Sequence, residues 1–138
     1  MASCLCCQNE TEVSERYRVR CLKKLFGVTW IPKISFGIAD MPAEVAKSGA
    51  KISISGVQIK ASIRLNHEKE TMEIVQSEGT HVLKAEPTEY PELPQNENCC
   101  MNVAQELGMD VPPHGLFVMA DGWYLVVKSL VASFGAAG

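Results

Sequence analysis

The stretch that decides the fold is Lys51-Ile-Ser-Ile-Ser-Gly-Val-Gln-Ile-Lys60, which continues through Ala61 to Leu65. Apolar and polar residues alternate on both sides of Gly56, and this period of two predicts two β-strands joined by a tight loop. Glycine accepts a positive φ and lets a ligand approach the backbone closely. Two hydroxyls, one amide and two lysines around such a turn suit an anion such as phosphate. Most Ser-Gly turns between strands are only turns, so both interpretations stay open here.

Length, charge and hydropathy bound the class of protein. The 138 residues allow one domain, or one small domain with an appendage. A formal net charge of −3 argues against a dedicated nucleic-acid binder, because phosphate contacts need a concentrated basic surface. No apolar run approaches the roughly 18–20 residues of a membrane span, and the first residues lack the features of a secretion signal. We therefore expect a cytoplasmic protein that contacts neither membrane nor nucleic acid directly.

Six cysteines in a cytoplasmic protein need an explanation other than disulfides. Cys4 and Cys7, in Cys-x-x-Cys spacing, supply with Cys21 three of the four ligands of a zinc knuckle. A fourth ligand is missing at a suitable spacing, because Arg18 and Arg20 stand where a histidine would serve. The alternatives are free thiols near a frayed chain end and a reactive redox pair. The sequence by itself favours free thiols.

The remaining patterns predict an α+β fold with one main packed helix and a short helical N-terminal segment. Apolar spacing and terminal glycines predict short helices at 20–26 and 41–47. A longer helix is expected at 96–107, and its apolar face should pack on the sheet: Cys100, Val103, Ala104 and Leu107. Asp121-Gly122 between two apolar runs predicts a hairpin. The antiparallel sheet is expected to contain the segments 51–65, 72–85, 115–120 and 123–128.

The order of these elements is the plan of a kinase small lobe. In that plan a glycine-containing loop covers phosphates, a lysine on a following strand meets them, and a carboxylate on a helix pairs with the lysine. Lys84 and Glu97 stand at the corresponding places, so we predict direct or water-bridged contact on one side of the sheet. The alternatives are a lysine pointing to solvent and an acid favoured by the helix dipole. The predicted division is an N-terminal segment with the cysteine cluster, the lobe and a tail, at 1–50, 51–130 and 131–138.

Several segments resemble the HipA-like serine/threonine kinases, the toxins of bacterial toxin–antitoxin modules. Residues 53–60 are similar to their S-x-S/A-G-x-Q-x-K loop, and residues 80–84 to their strand "THILK". Residues 90–97 resemble their "YPDLPENE" segment, and residues 124–128 resemble the strand that leads into the hinge. Residues 4–27 resemble the start of the shorter, HipT-like members.

The resemblance implies roles for individual residues. Those implied to bind ATP, with Mg²⁺ as its usual companion, are Ser55, Gly56, Val57, Gln58, Lys60, Lys84, Glu97 and Lys128. Residues 128–130 would occupy the adenine-hinge position. Ser53 and Ser55 would be autophosphorylation sites, and about two negative charges added there would oppose incoming ATP. Phosphorylation is therefore expected to switch the loop off.

The sequence departs from the family after the hinge strand. Members continue with an R-F-D-R-like segment and a large lobe, whereas this sequence ends in an Ala- and Gly-rich stretch without H-R-D or D-F-G equivalents. The catalytic-base and metal-binding aspartates of a kinase would then be missing. We expect a truncated HipA-like kinase that binds nucleotide weakly or not at all and does not transfer phosphate alone. Its expected partner is an antitoxin, the missing large lobe or a partner kinase chain.

Two other functions are compatible with the sequence. One is a stand-alone regulatory module that docks on a partner kinase or antitoxin. The other is a zinc-knuckle interaction domain, which is the least favoured because its fourth ligand is missing. Without a large lobe, the sheet edge and hinge strand that would face it are expected to expose an apolar patch, which would be a partner site or an aggregation liability.

Overall fold

The computed structural model describes residues 2–11, 15–50, 53–55 and 58–129, and for 53–55 it describes the backbone alone. Within these ranges the helices are α1 (Val19–Phe26), α2 (Met41–Lys47) and α3 (Leu93–Glu106), and a 3-10 turn (Ile38–Asp40) precedes α2. None of the helices described is long and apolar enough to cross a membrane. The strands are β1 (Ala2–Ser3), β2 (Glu10–Thr11), β3 (Ser53–Ser55), β4 (Gln58–Asn66), β5 (Thr71–Ile74), β6 (His81–Ala85), β7 (His114–Met119) and β8 (Gly122–Lys128).

Strands β3 to β8 form one antiparallel sheet in the order β3-β4-β6-β8-β7, and β5 pairs with β4 off this path. The deciding stretch forms the hairpin β3–β4, with Ser55 opposite Gln58. The predicted Asp-Gly hairpin is β7–β8, with Met119 opposite Gly122. The predicted α+β fold with an antiparallel sheet is therefore confirmed. The segment predicted to join the sheet at 72–85 contains β5 and β6, which both pair with β4.

The core lies on one face of this sheet. Alternate residues of β4, β6 and β8 are buried there: Ala61, Ile63, Leu83, Ala85, Tyr124 and Val126. Helix α1 adds Leu22, Leu25 and Phe26 to the same core, and α2 adds Met41 and Val45. Both short helices occur where the sequence predicted them. Side chains from the N-terminal segment 1–50 thus share one core with the sheet.

The N-terminal segment covers the edge of the sheet at β7. The backbone N–H of Leu116 in β7 donates to the carbonyl oxygen of Leu5 at 2.9 Å. The hydroxyl of Tyr17 donates to the carbonyl oxygen of Leu116. An uncovered edge strand would expose such groups to pairing with other chains. The first bond attaches the cysteine-containing loop between β1 and β2 to the sheet, and the second attaches the segment that follows β2.

Helix α3 corrects one prediction, because its buried side differs from the expected one. The helix begins at Leu93, earlier than predicted, and it buries Pro94 and Asn98. Val103 and Leu107, on the face predicted to pack, are 53% and 76% exposed. Cys100 is also exposed, and Ala104 is half-buried. The predicted packing face is wrong. Asn98 is buried instead, because hydrogen bonds within the protein replace those that its amide loses to water.

Candidate functional site

The predicted contact between strand lysine and helix carboxylate is confirmed. β6 carries Lys84 and the second turn of α3 carries Glu97, and Nζ of Lys84 lies 3.0 Å from Oε2 of Glu97. The two side chains are 24% and 25% exposed. Partial burial of this kind limits the solvent screening of the ion pair. Glu97 therefore holds the Lys84 ammonium in one place on the sheet.

Two further side chains that donate hydrogen bonds share the face of Lys84. Lys60 of β4 is directly opposite Lys84 in the antiparallel register, so both side chains project from one face. Gln58, two residues earlier in β4, also projects from this face and is buried. Its Nε2 has no hydrogen-bond acceptor among the described residues. The three donors and one carboxylate carry a net positive charge and suit an anionic ligand.

The loop predicted to cover phosphates lies partly outside the described residues. Gly56 and Val57 belong to that part, and for Ser53 and Ser55 only the backbone is described. The register places Ser53 opposite Lys60 and Ser55 opposite Gln58. The roles that the resemblance assigns to these four positions stay predictions.

Lys128 is not brought together with Lys84. Lys128 pairs with His81 in the register, and His81 lies three residues before Lys84 on β6. Because side chains alternate between the two faces of a strand, those of Lys128 and Lys84 lie on opposite faces of the sheet. The side chain of Lys128 is exposed. The backbone N–H of Lys128 donates to the carbonyl oxygen of Pro113, and that of Ser129 to Thr80. The N–H groups of Lys128 and Ser129, at the position predicted to be the hinge, thus both have protein acceptors.

A cavity of about 420 Å³ lies away from the lysines. Ile59 and Ala85 line it, and they alternate with Lys60 and Lys84 along their strands, so the cavity opens on the other face of the sheet. Nearby Glu86 has a pKa raised above its ordinary value, chiefly by burial. This cavity does not belong to the face that carries Lys60 and Lys84.

The donor set fits the phosphate end of a nucleotide better than a magnesium ion. The buried amide of Gln58 lacks an acceptor among the described residues, and phosphate oxygens would provide one. Mg²⁺ takes oxygen ligands. Within the described ranges, the cluster of three or more side chains able to bind a metal is made of sulfur ligands, Cys4, Cys7 and Cys21. Among the described residues, no group of three carboxylate or histidine ligands is gathered beside Lys84.

Sequence reasoning missed the polar network behind α3. Nδ1 of His114 lies 2.6 Å from Oδ1 of Asn98, and Nδ2 of Asn98 donates to the carbonyl oxygen of Cys6 at 3.2 Å. Asn102 donates to the same carbonyl at 2.9 Å. Burial lowers the pKa of His114, with a smaller contribution from the positive charge of Lys24. No spacing rule reveals this network, because Asn98 falls among the polar residues of its helix.

The chain is similar in sequence to one known protein family and to two curated proteins named as putative kinases. The profile of the family described as "HipA-like C-terminal domain" matches residues 52–129. A Haemophilus influenzae protein named "Putative kinase" is 35% identical over 89 residues, which cover 64% of this chain and 25% of that protein. A Sinorhizobium fredii protein named "Putative kinase Y4dM" is 33% identical over 72 residues, 50% of this chain and 18% of that protein. The chain thus spans about a quarter or less of these curated relatives.

Proposed function

The chain belongs to the family of HipA-like C-terminal domains, and from this premise we propose that it forms the phosphate-binding small lobe of a HipA-like serine/threonine kinase of a toxin–antitoxin module. The observation that carries the proposal is the 3.0 Å contact of Lys84 with Glu97, beside Lys60 on the same face. Phosphoryl transfer depends mainly on positioning and charge neutralisation. A lysine oriented by a helix carboxylate supplies both.

In the proposed function, each side chain has a separate task. Lys84 holds phosphate oxygens, and Glu97 keeps its ammonium on the sheet face. Lys60 adds positive charge, and the amide of Gln58 donates a hydrogen bond. ATP supplies the phosphoryl group when it is bound. The base and the Mg²⁺ ligands would come from another part of a longer polypeptide or from a partner chain, so this chain alone should not transfer phosphate.

Regulation by autophosphorylation belongs to the same proposal. Ser53 lies directly opposite Lys60, and Ser55 directly opposite Gln58, in the backbone register of the hairpin. A phosphate on either serine would carry about −1.5 to −2 charges at pH 7. It would compete with the nucleotide for the same donors and so lower nucleotide affinity. The six reduced cysteines support a cytoplasmic setting for this activity.

A titration with ATP, followed by ¹⁵N-resolved amide shifts, tests the nucleotide site. We expect weak binding that falls about tenfold or more in Lys84→Ala, since a hydrogen bond to a charged group contributes about 1.5–3 kcal/mol. Lys69→Ala, in the exposed turn between β4 and β5, is the matched control and should bind like the wild type. Mg²⁺ should change the affinity little. Equal affinity of wild type and Lys84→Ala would refute the site.

A regulatory binding module is the second candidate, and the exposed face of α3 favours it. Val103, Leu107 and Met109 are large apolar residues that are more than half exposed. Such residues grouped at one helix end are typical of a surface that another protein covers. If ATP does not bind but a purified large lobe or antitoxin does, this function replaces the first. Loss of that binding in Leu107→Asp would locate the contact on α3.

A further inference from the structure

Three cysteines from two parts of the chain, the loop between β1 and β2 and the first turn of α1, lie close together. The Sγ atoms of Cys4, Cys7 and Cys21 all lie within 4.8 Å of one another. A tetrahedral zinc ion with Zn–S bonds of about 2.3 Å holds its sulfur ligands about 3.8 Å apart, so a small contraction would close the site. We propose that these three thiolates bind one zinc ion.

The local backbone prepares the sulfur atoms for a metal. The chain reverses between β1 and β2 with Gln8 at a φ of 66°, which brings Cys4 and Cys7 to one side of the turn. Sγ of Cys4 accepts hydrogen bonds from the backbone N–H groups of Cys6 at 3.4 Å and of Arg18 at 3.3 Å. Such bonds stabilise a thiolate, the form that binds metal. Cys21 lies in the first turn of α1, where the helix dipole also favours negative charge.

Charge and surroundings also suit a structural zinc site. Three thiolates and one Zn²⁺ leave one net negative charge, and the guanidinium of Arg18 lies 3.9 Å from Sγ of Cys7 to offset it. Cys6 is buried as well, but its Sγ lies against Gly115 and is not one of the three grouped sulfur atoms. Three thiolates leave the fourth position of a tetrahedral zinc ion open to water or another donor. Sulfur ligands select zinc over the hard cations that prefer oxygen.

The site would also hold α3. The carbonyl oxygen of Cys6 accepts hydrogen bonds from Asn98 and Asn102 of α3, and Asn98 follows Glu97 directly. Zinc would fix the conformation of residues 4–7 and with it the carbonyl that anchors the helix. Loss of zinc should therefore loosen α3 and the contact of Glu97 with Lys84. The effect of this loosening on nucleotide binding rests on the proposed function of that ion pair. The zinc site itself does not depend on the proposed function.

Metal content tests the site directly. We expect about one zinc per full-length chain purified under reducing conditions from zinc-replete medium, and Co²⁺ in its place should show thiolate-to-cobalt absorption. Cys4→Ser, Cys7→Ser and Cys21→Ser should each lose the metal. Cys99→Ser and Cys100→Ser, exposed on α3, are the matched controls and should retain it. A wild type that neither carries zinc nor takes up Zn²⁺ or Co²⁺ would overturn the proposal, and so would loss of metal from the controls.

A second measurement avoids variants that fail to fold. Alkylation of the native wild type, read by mass spectrometry, should modify Cys99 and Cys100 rapidly and spare Cys4, Cys7 and Cys21 until a chelator removes the zinc. Exposure alone does not predict this protection for Cys7 and Cys21, which are only half-buried. Protection that a chelator leaves unchanged, or a disulfide in place of metal, would contradict zinc binding.

Hydrogen exchange tests the connection to α3. Removing zinc should accelerate amide exchange in residues 93–106 while the central strands β6 and β8 keep their protection. If zinc is present but its removal leaves α3 unchanged, the anchoring role is wrong and the metal site stands. ATP titration of the zinc-free chain separates this outcome from failure of the nucleotide site: a nucleotide site that is wrong shows no binding with or without zinc.

Discussion

The orientation of α3 can be tested by replacing Asn98 with alanine. Asn98 is fully buried, and its amide bonds to His114 at 2.6 Å and to the Cys6 carbonyl at 3.2 Å. Each lost hydrogen bond costs about 0.5–1.5 kcal/mol, and a buried donor left unpaired on His114 costs about 1–3 kcal/mol. Since Asn102 still donates to the carbonyl, the second loss is partly compensated. We expect Asn98→Ala to lower the free energy of unfolding by about 2–4 kcal/mol.

Equilibrium urea denaturation, followed by circular dichroism, measures this change. Val103→Ala and Leu107→Ala are the matched controls on the exposed face, and each should change the free energy of unfolding by less than about 0.5 kcal/mol. The sequence pattern predicts the opposite order, with the apolar face costing more than the asparagine. A cost of Leu107→Ala larger than that of Asn98→Ala would refute the packing described for α3.

Three further predictions concern other contacts. Gly115→Ala should destabilise by about 1–3 kcal/mol, because the new Cβ would meet Sγ of Cys6 at 2.6 Å, and adding Cys6→Ala should recover part of this loss in the same denaturation assay. Burial lowers the pKa of both His81 and His114 below 6.5, so the unfolded chain binds protons at these histidines at a higher pH than the folded protein does. The free energy of unfolding should therefore decrease as the pH falls below 6.5. Unfolding measured between pH 7 and 5.5 checks this, and higher stability at pH 5.5 would contradict it. A double-mutant cycle with Lys84→Met and Glu97→Gln should give a coupling energy of about 0.5–1 kcal/mol between the two side chains. The more exposed pair Glu44–Lys47, at 3.5 Å, should give a smaller coupling energy. Equal coupling energies would show that burial does not strengthen the Lys84–Glu97 pair.

Local patterns predicted most of the secondary structure. The alternation around Gly56 and the Asp121-Gly122 turn produced the two hairpins, because a period of two and a turn dipeptide act within a few residues. The Lys84–Glu97 contact was also predictable, since the order of strand and helix brings these positions to one side of the sheet.

Only the tertiary structure decided which side of α3 is buried. Helix periodicity ranks faces by apolar content, but Asn98 is buried because His114 and Cys6, distant in sequence, replace the water it loses. The spacing of Cys4, Cys7 and Cys21 already grouped these three residues, and the structure brings their Sγ atoms within 4.8 Å of one another. The sequence by itself determined the elements and their alternating faces, since those depend on neighbours along the chain. The polar contacts between elements depend on partners that only folding brings together.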